Sequence, residues 1–109
     1  MQLAADRSSD VVVVVVAHVP QHGLESFRRY ERAVLSLLRR HEGELQRRLR
    51  SEDGEIEVHL VSFPTPEALS GYLADPGRDE HRDLLKASAA RLEVFELRDA
   101  SIEDLVSAY

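Results

Sequence analysis

"DVVVVVVAHVP", residues 10–20, is the stretch that decides the fold of this chain. Six consecutive valines favour a strand over a helix, because a β-branched side chain loses rotamer freedom against the preceding helical turn. Alternate residues of a strand point to opposite faces of its sheet. Valines therefore occupy both faces of this strand, which carries His18 near its end and stops at Pro20.

The rest of the chain alternates between helical and strand patterns. Apolar residues recur every three or four places in the helical stretches and every second place in the strands. The predicted elements are a helix over 24–41, strands over 44–50 and 55–63, a helix that starts at Thr65 and Pro66 and breaks at Pro76, a second helical stretch over 78–91, and a strand over 91–99.

This βαββαβ order is typical of a ferredoxin-like α+β fold, in which both helices cover one face of a four-stranded antiparallel sheet and the first strand is central. We expect the third strand to lie beside the first and to run parallel to it. A chain of 109 residues fits one domain. We place that domain at 10–99, after a flexible N-terminus (1–9) and before a tail or short helix (100–109) that Ser101 caps.

Composition excludes several classes of function. A net charge of −6 argues against nucleic acid as a partner, since that binding needs clustered Lys and Arg. The absence of cysteine excludes disulfides, thiolate metal sites and a cysteine nucleophile. The valine run is far shorter than the ~20 residues of a membrane span, and no signal peptide pattern is present. We expect a cytoplasmic protein with neither a nucleic-acid nor a membrane partner.

The valine strand also predicts self-association. Two helices cover one sheet face, so three or more valines lie on the other. Burial of a valine contributes ~1.5–3 kcal/mol, and leaving three in water forgoes roughly 5–9 kcal/mol, which is comparable to the net stability of a domain. A second copy of the sheet is the simplest cover. We therefore predict a homodimer packed sheet to sheet about a two-fold axis.

Two further stretches, "HEGELQRRLRS" (41–51) and "VSFPTPEALSGYLADPGRDEHRDLL" (61–85), together with the valine-rich strand, carry a family resemblance. Over about residues 11–98 the sequence resembles the dimeric α+β barrel superfamily, which includes the antibiotic biosynthesis monooxygenase family. The resemblance implies a homodimeric barrel and, among the activities of its members, cofactor-independent oxygenation of polyphenolic substrates or haem degradation.

The resemblance is incomplete at the residues that carry chemistry. Of the Asn, Trp and His set that those oxygenases and haem degraders use, only His81 matches by position, and the chain contains no Trp and no Asn. Haem degradation and Asn-dependent oxygenation are therefore disfavoured. We expect no cofactor.

His18 and His59 are the candidate acid–base pair, because histidine titrates near neutral pH and a carboxylate beside it can orient its ring. Glu57 shares the face of His59, and Glu93 is a possible companion from the last strand. If both imidazoles point into the barrel, they face one ligand. Alternatively these polar residues satisfy one another or line a wet dimer interface. Two imidazoles and a carboxylate also suit a metal, but the spacing is not diagnostic, and we expect none.

His81 and Arg47 are further candidates. His81 lies three and four residues before two leucines, which directs it towards the space between helix and sheet. Alternatively it is a half-buried residue at a helix start.

Arg47 and Arg48 lie on opposite faces of their strand, so one of them can point inward to an anionic substrate. Alternatively both are solvated or pair with Glu55 and Glu57.

These observations predict a mostly apolar pocket between helices and sheet, with Tyr72, Phe63 and Phe27 as its walls. The favoured function is a cofactor-independent, monooxygenase-like enzyme or binder of a small aromatic or polyketide-like compound. The alternative is a non-catalytic ligand-sensing or dimerisation domain. An enzyme needs a cavity with at least two convergent polar groups, whereas a structural module fills that space with side chains. The candidate catalytic residues are His81, His59 and His18, and the candidate ligand-binding residues are Tyr72, Phe63, Phe27, Glu57 and Arg47.

Overall fold

The computed structural model describes residues 10–100 and confirms the ferredoxin-like α+β fold. Four strands form one antiparallel sheet in the order β2-β3-β1-β4, with helices packed on one face. The elements are β1 (Val11–His18), α1 (Leu24–Leu35), β2 (Glu44–Arg50), β3 (Ile56–Phe63), α2 (Pro66–Leu73), α3 (Pro76–Asp79), α4 (Arg82–Ser88) and β4 (Arg91–Leu97), with 3-10 helices at Gln21–Gly23 and Leu38–His41.

The direction of β3 corrects one prediction. β3 lies beside β1, as expected, but runs antiparallel to it, so that Val15 pairs with His59 and His18 with Ile56. The reason is the topology: the crossover through α1 makes β2 parallel to β1, and the hairpin then reverses the chain into β3. The two histidines therefore lie three register positions apart.

The helices are shorter than the sequence predicted. The helix predicted over 24–41 ends at Leu35, and a 3-10 turn replaces its last part. The stretch predicted over 78–91 divides into α3 and α4, and α4 ends where Ala89 adopts a left-handed conformation. The start of α2 is confirmed, since Thr65 Oγ1 accepts a hydrogen bond from the Ala68 N–H at 3.1 Å.

The core lies on the helix side of the sheet, where alternate residues of β1 and β3 meet α1 and α2. Because a strand has a period of two, Val11 and Val13 of β1 and Val61 and Phe63 of β3 all face the helices and are buried. A second cluster, around Phe27 on α1, joins α1 and α4 to the end of β1.

The opposite sheet face is largely apolar, and none of the elements between residues 10 and 100 covers it. Val12, Val14 and Val16 are only partly buried there. Four larger side chains on this face, 41–47% exposed, are Leu49, Ile56, Phe95 and Leu97. We call these seven residues the bare sheet face. The predicted flexible N-terminus and the helix capped by Ser101 lie outside the described residues.

Within residues 10–100, no helix combines the length and the apolar character that crossing a membrane requires.

Candidate functional site

A buried charged cluster lies between α1 and the sheet. Glu31 from α1 and Glu57 and His59 from β3 are each no more than 6% exposed. The His59 Nε2–H donates to Glu57 Oε2 at 2.6 Å and lies 3.1 Å from Glu31 Oε2. Three ionisable groups thus share one buried position, so their charges must be compensated by partners close to them.

The strand period and the register of the hairpin assemble this cluster. Glu57 and His59 are two residues apart, so they share the helix side of β3. On β2, Arg48 pairs in register with His59, and Arg50 with Glu57. Arg50 Nε donates to Glu57 Oε1 at 2.6 Å, and Arg48 donates to Glu31. Two arginines and two carboxylates therefore form a closed network around the imidazole.

The network moves the pKa values of its members in opposite directions. Burial alone would raise the pKa of Glu57, but hydrogen bonds within the cluster, including those from His59 and Arg50, outweigh burial and lower it from 4.5 to about 2. Burial would likewise lower the pKa of His59, but the hydrogen bonds and charges of Glu31 and Glu57 raise it above 6.5. The favoured state is a charged Glu57 beside a protonated His59.

An apolar cavity of about 110 Å³ adjoins the cluster, and His59 and Glu31 are on its wall. Because the His59 Nε2 is held by carboxylates and the Nδ1 has no hydrogen-bonding partner within residues 10–100, the Nδ1 is the ring nitrogen left for a ligand. Leu73 and Val94, 57% and 59% exposed, form the mouth. The arrangement suits a small apolar compound with one polar group directed at the imidazole.

The cluster also has the donor set of a metal site. One ligand atom each from Glu31, Glu57 and His59 lie within 4.8 Å of one another. Arg48 and Arg50, however, bind the same carboxylates, so the oxygens are occupied and the local charge opposes a cation. The residues therefore fit an ion-pair network better than a metal centre.

Most of the predicted pocket residues meet at this cavity. Phe27, Phe63, Tyr72 and His59 all line it, and Glu57 lies behind His59. The Tyr72 hydroxyl donates to the carbonyl of Val34 at 3.1 Å, and its ring packs against Phe63 with ring centroids 5.5 Å apart. These contacts hold the aromatic wall in place.

His18 does not join this site, so the prediction that His18 and His59 face one ligand is wrong. His18 lies on the same face as the alternate valines of the bare sheet face, whereas His59 faces the helices. Its Nε2 lies 2.9 Å from Glu93 Oε1, so the expected carboxylate companion from the last strand pairs with His18 and not with His59. The antiparallel register is the cause.

His81 and Arg47 also lie apart from the cavity. His81 is half-buried at the start of α4 and is not one of the cavity-lining residues. Arg47 pairs in register with Leu60 and lies on the side of the sheet opposite His59. Arg47, the expected ligand-binding arginine, thus lies away from the cavity, whereas its neighbour Arg48 faces the helices and pairs with Glu57, as the alternative expectation had it.

Sequence reasoning missed Glu31, Arg50 and Arg78. The spacing of Glu31 offered a signal, because it lies four residues after Phe27 and three before Val34, on the buried stripe of α1. Arg78 lines the cavity with its guanidinium 4.6 Å from the centroid of the Tyr72 ring. No local sequence pattern predicts that contact, because it depends on how α3 folds back against α2.

Comparisons with solved structures identify proteins of similar fold. The structure superposes on Rv0793 from Mycobacterium tuberculosis with a TM-score of 0.70 and 18% identity, over 85% of this chain and 97% of that one. A protein of Nitrosomonas europaea provisionally described as an antibiotic biosynthesis monooxygenase superposes with a TM-score of 0.71 and 17% identity, over 91% of this chain and 98% of that one. SnoaB, a cofactor-independent oxygenase from Streptomyces nogalater, superposes with a TM-score of 0.64 and 22% identity, over 86% of this chain and 98% of that one.

The chain therefore has the ferredoxin-like fold of the antibiotic biosynthesis monooxygenase-like proteins. Identities of this size show the fold alone. No protein-family model matches the sequence, and no curated protein sequence is significantly similar to it.

Proposed function

We propose that the chain is a cytoplasmic, cofactor-independent, monooxygenase-like enzyme that takes a small aromatic or polyketide-like compound into the apolar cavity. The observation that carries this proposal is the position of His59 on the wall of an otherwise apolar cavity, with its Nε2 fixed by two buried carboxylates. The likeness of fold to SnoaB supports it.

The chemistry needs only the substrate and dioxygen. An anthrone-type substrate loses one CH₂ proton to bulk water to give an enolate, which transfers electrons to O₂ and forms the C–O bond of a peroxide. Loss of water from the resulting peroxide leaves a carbonyl, so that CH₂ and O₂ become C=O and H₂O. A protonated His59 would stabilise the enolate oxygen and donate a proton to the departing oxygen. Glu31 and Glu57 keep it protonated and oriented.

The volume of the cavity limits how such a compound binds. A cavity of ~150 Å³ accepts benzene, so about 110 Å³ holds a ring-sized fragment at most. The rest of a larger substrate would extend past Leu73 and Val94, where Arg78 offers a cation to a phenolate or carboxylate. We therefore expect a preference for compounds with a single unsubstituted ring at one end.

We also propose that the working unit is a homodimer joined through the bare sheet face. Support comes from its partly exposed valines and from the four larger apolar side chains around them. Contiguous apolar patches of more than a few hundred Å² are uncommon on monomeric proteins. A second copy would cover this face without touching the cavity, which opens on the helix side.

The experiment is an oxygen-consumption assay with unsubstituted anthrone as probe, and the anthraquinone product is measured by absorbance. We expect turnover by the wild type and a loss of kcat/KM of about 100-fold or more in His59→Gln. His22→Gln is the control, because His22 is an exposed histidine outside the cavity. Equal rates in wild type and His59→Gln would overturn the role of His59, and no turnover above the uncatalysed rate would overturn the enzyme.

The second candidate is a ligand-sensing or assembly domain without catalysis. It is favoured by the cavity volume, which is below the ~300–1,000 Å³ usual for ligand sites. Saturable binding of the anthrone without oxygen uptake would support a sensor. Neither binding nor turnover, in a protein that is nevertheless dimeric, would support an assembly role.

A further inference from the structure

A second concave site lies on the outer side of the charged cluster, between α1 and β2. It is a groove of about 320 Å³, separate from the apolar cavity although both share Glu31 and Leu35. Four arginines from two different elements converge on it. We call it the arginine groove, and its lining is Arg28, Glu31, Arg32, Leu35, Arg48 and Arg50.

The sequence explains how the arginines converge. Arg28 and Arg32 are four residues apart on α1, so they lie one above the other on a single face. Arg48 and Arg50 are two residues apart on β2 and point towards α1. A guanidinium pair on the helix thus faces a guanidinium pair on the strand across an open depression.

The carboxylates of the cluster neutralise only part of this charge. Glu31 and Glu57 bind the Nε and Nη2 groups of Arg48 and Arg50. The Nη1 groups of both arginines, and the whole guanidinium groups of Arg28 and Arg32, have no acidic partner among the described residues. The four guanidinium groups therefore outnumber the carboxylates around them, and the groove is positively charged in a chain whose net charge is −6.

We propose that the arginine groove binds a small phosphate-bearing ligand at a site distinct from the apolar cavity. Several guanidinium forks around one depression match the oxygens of a phosphate group, which carries close to two negative charges at neutral pH. The groove is a single pocket and not a stripe, and the chain as a whole is acidic. Both facts favour a small ligand such as a phosphomonoester or diphosphate over a nucleic-acid backbone.

The test is isothermal titration calorimetry of the full chain with inorganic pyrophosphate in 150 mM salt. We expect one saturable site with a dissociation constant below about 1 mM and binding about tenfold weaker in the double variant Arg28→Gln/Arg32→Gln. The matched control is Arg29→Gln/Arg39→Gln, which removes the same charge from two exposed arginines outside the groove and should bind within about twofold of wild type.

Three outcomes would overturn the inference. The first is no binding at 10 mM pyrophosphate, and the second is an equal loss in the control, which would indicate non-specific attraction. The third is citrate binding as tightly as pyrophosphate, which would assign the groove to carboxylates. Circular dichroism of each variant shows that the fold is kept, as expected for exposed side chains. The titration contains no aromatic compound, so its result is independent of the function proposed for the cavity.

Discussion

The His59 imidazole and the Glu57 carboxylate form a buried ion pair between residues two apart on one strand, with Nε2 and Oε2 separated by 2.6 Å. Each charge stabilises the other, so Glu57 stays ionised down to acid pH and His59 holds its proton above its usual pKa. A pair of this kind makes the stability of the fold depend on pH in both directions.

The first prediction is a stability maximum between about pH 4.5 and pH 6.5. The pKa of Glu57 is lowered, so its contribution is complete above 4.5 and is lost as the pH falls towards 2. The pKa of His59 is raised, so its contribution is complete below 6.5 and is lost as the pH rises through the raised value. Urea unfolding from pH 3 to pH 9 measures the free energy of unfolding, and hence its decline on the acid side and on the alkaline side.

Two variants distinguish the decline in stability on the acid side from the decline on the alkaline side. His59→Gln should flatten the decline on the alkaline side, and Glu57→Gln should reduce the decline on the acid side and lower the free energy of unfolding at pH 6 by about 3 kcal/mol. A decline on the alkaline side that is unchanged in His59→Gln would show that another group causes it. His22→Gln, which changes an exposed histidine, is the control for the loss of an imidazole.

The second prediction concerns two neighbouring arginines on β2. Arg48→Gln should lower the free energy of unfolding by about 2 kcal/mol, because it leaves Glu31 and Glu57 with one guanidinium fewer in a buried position. Arg47→Gln, one residue away on the opposite face, should change it by less than about 0.5 kcal/mol. Equal effects in chemical denaturation would contradict the network.

The third prediction is dimerisation through the bare sheet face. Sedimentation equilibrium at low micromolar concentration should give twice the mass of the chain, and Val14→Glu at the centre of the face should give a monomer. A buried, unpaired carboxylate in such an interface is strongly unfavourable. Phe95→Glu, at a position 46% exposed, provides a second variant in case Val14→Glu does not fold.

Leu73→Glu is the matched control for these variants. It puts the same charge on an apolar residue of α2 that is 57% exposed and lies away from the sheet face, and it should leave the mass unchanged. A wild-type monomer at 100 µM, or a dimer that survives both sheet-face variants, would rule out this interface.

The sequence was sufficient for the fold because its strands and helices have clear periods. Six valines in a row define a central strand, and alternation in "EIEVHLVSF" assigns Glu57 and His59 to one face without any coordinates. Element ends were less accurate, because the chain leaves α1 through a 3-10 turn. There Glu42 adopts the left-handed conformation, and the carbonyl of Leu38 accepts from the Gly43 N–H at 2.9 Å.

The site was predicted only where one strand determines it. Phe63 and His59 share a strand face, so their common cavity follows from a period of two. Glu31 reaches the site because α1 docks on the sheet. Arg50 reaches it through the register of the hairpin, which contains a bulge between Leu45 and Arg47. A bulge of one residue reverses which arginines point inward, and no sequence pattern marked its position.

The final prediction tests the contact between α1 and α4. Gly23 precedes α1, and a Cβ at this position would lie 1.9 Å from the backbone oxygen of the fully buried Ser88. Backbone atoms cannot yield as a side chain does, so Gly23→Ala should force the two helices apart and lower the free energy of unfolding by about 3 kcal/mol.

Gly77→Ala is the control. Its new Cβ would meet the end of the Leu37 side chain at 3.0 Å, which can rotate away, and the loss of stability should stay below about 1 kcal/mol. Thermal unfolding of the two alanine variants under the same conditions compares them directly, and a Gly23→Ala protein as stable as the Gly77→Ala protein would show that the two helices are not in backbone contact.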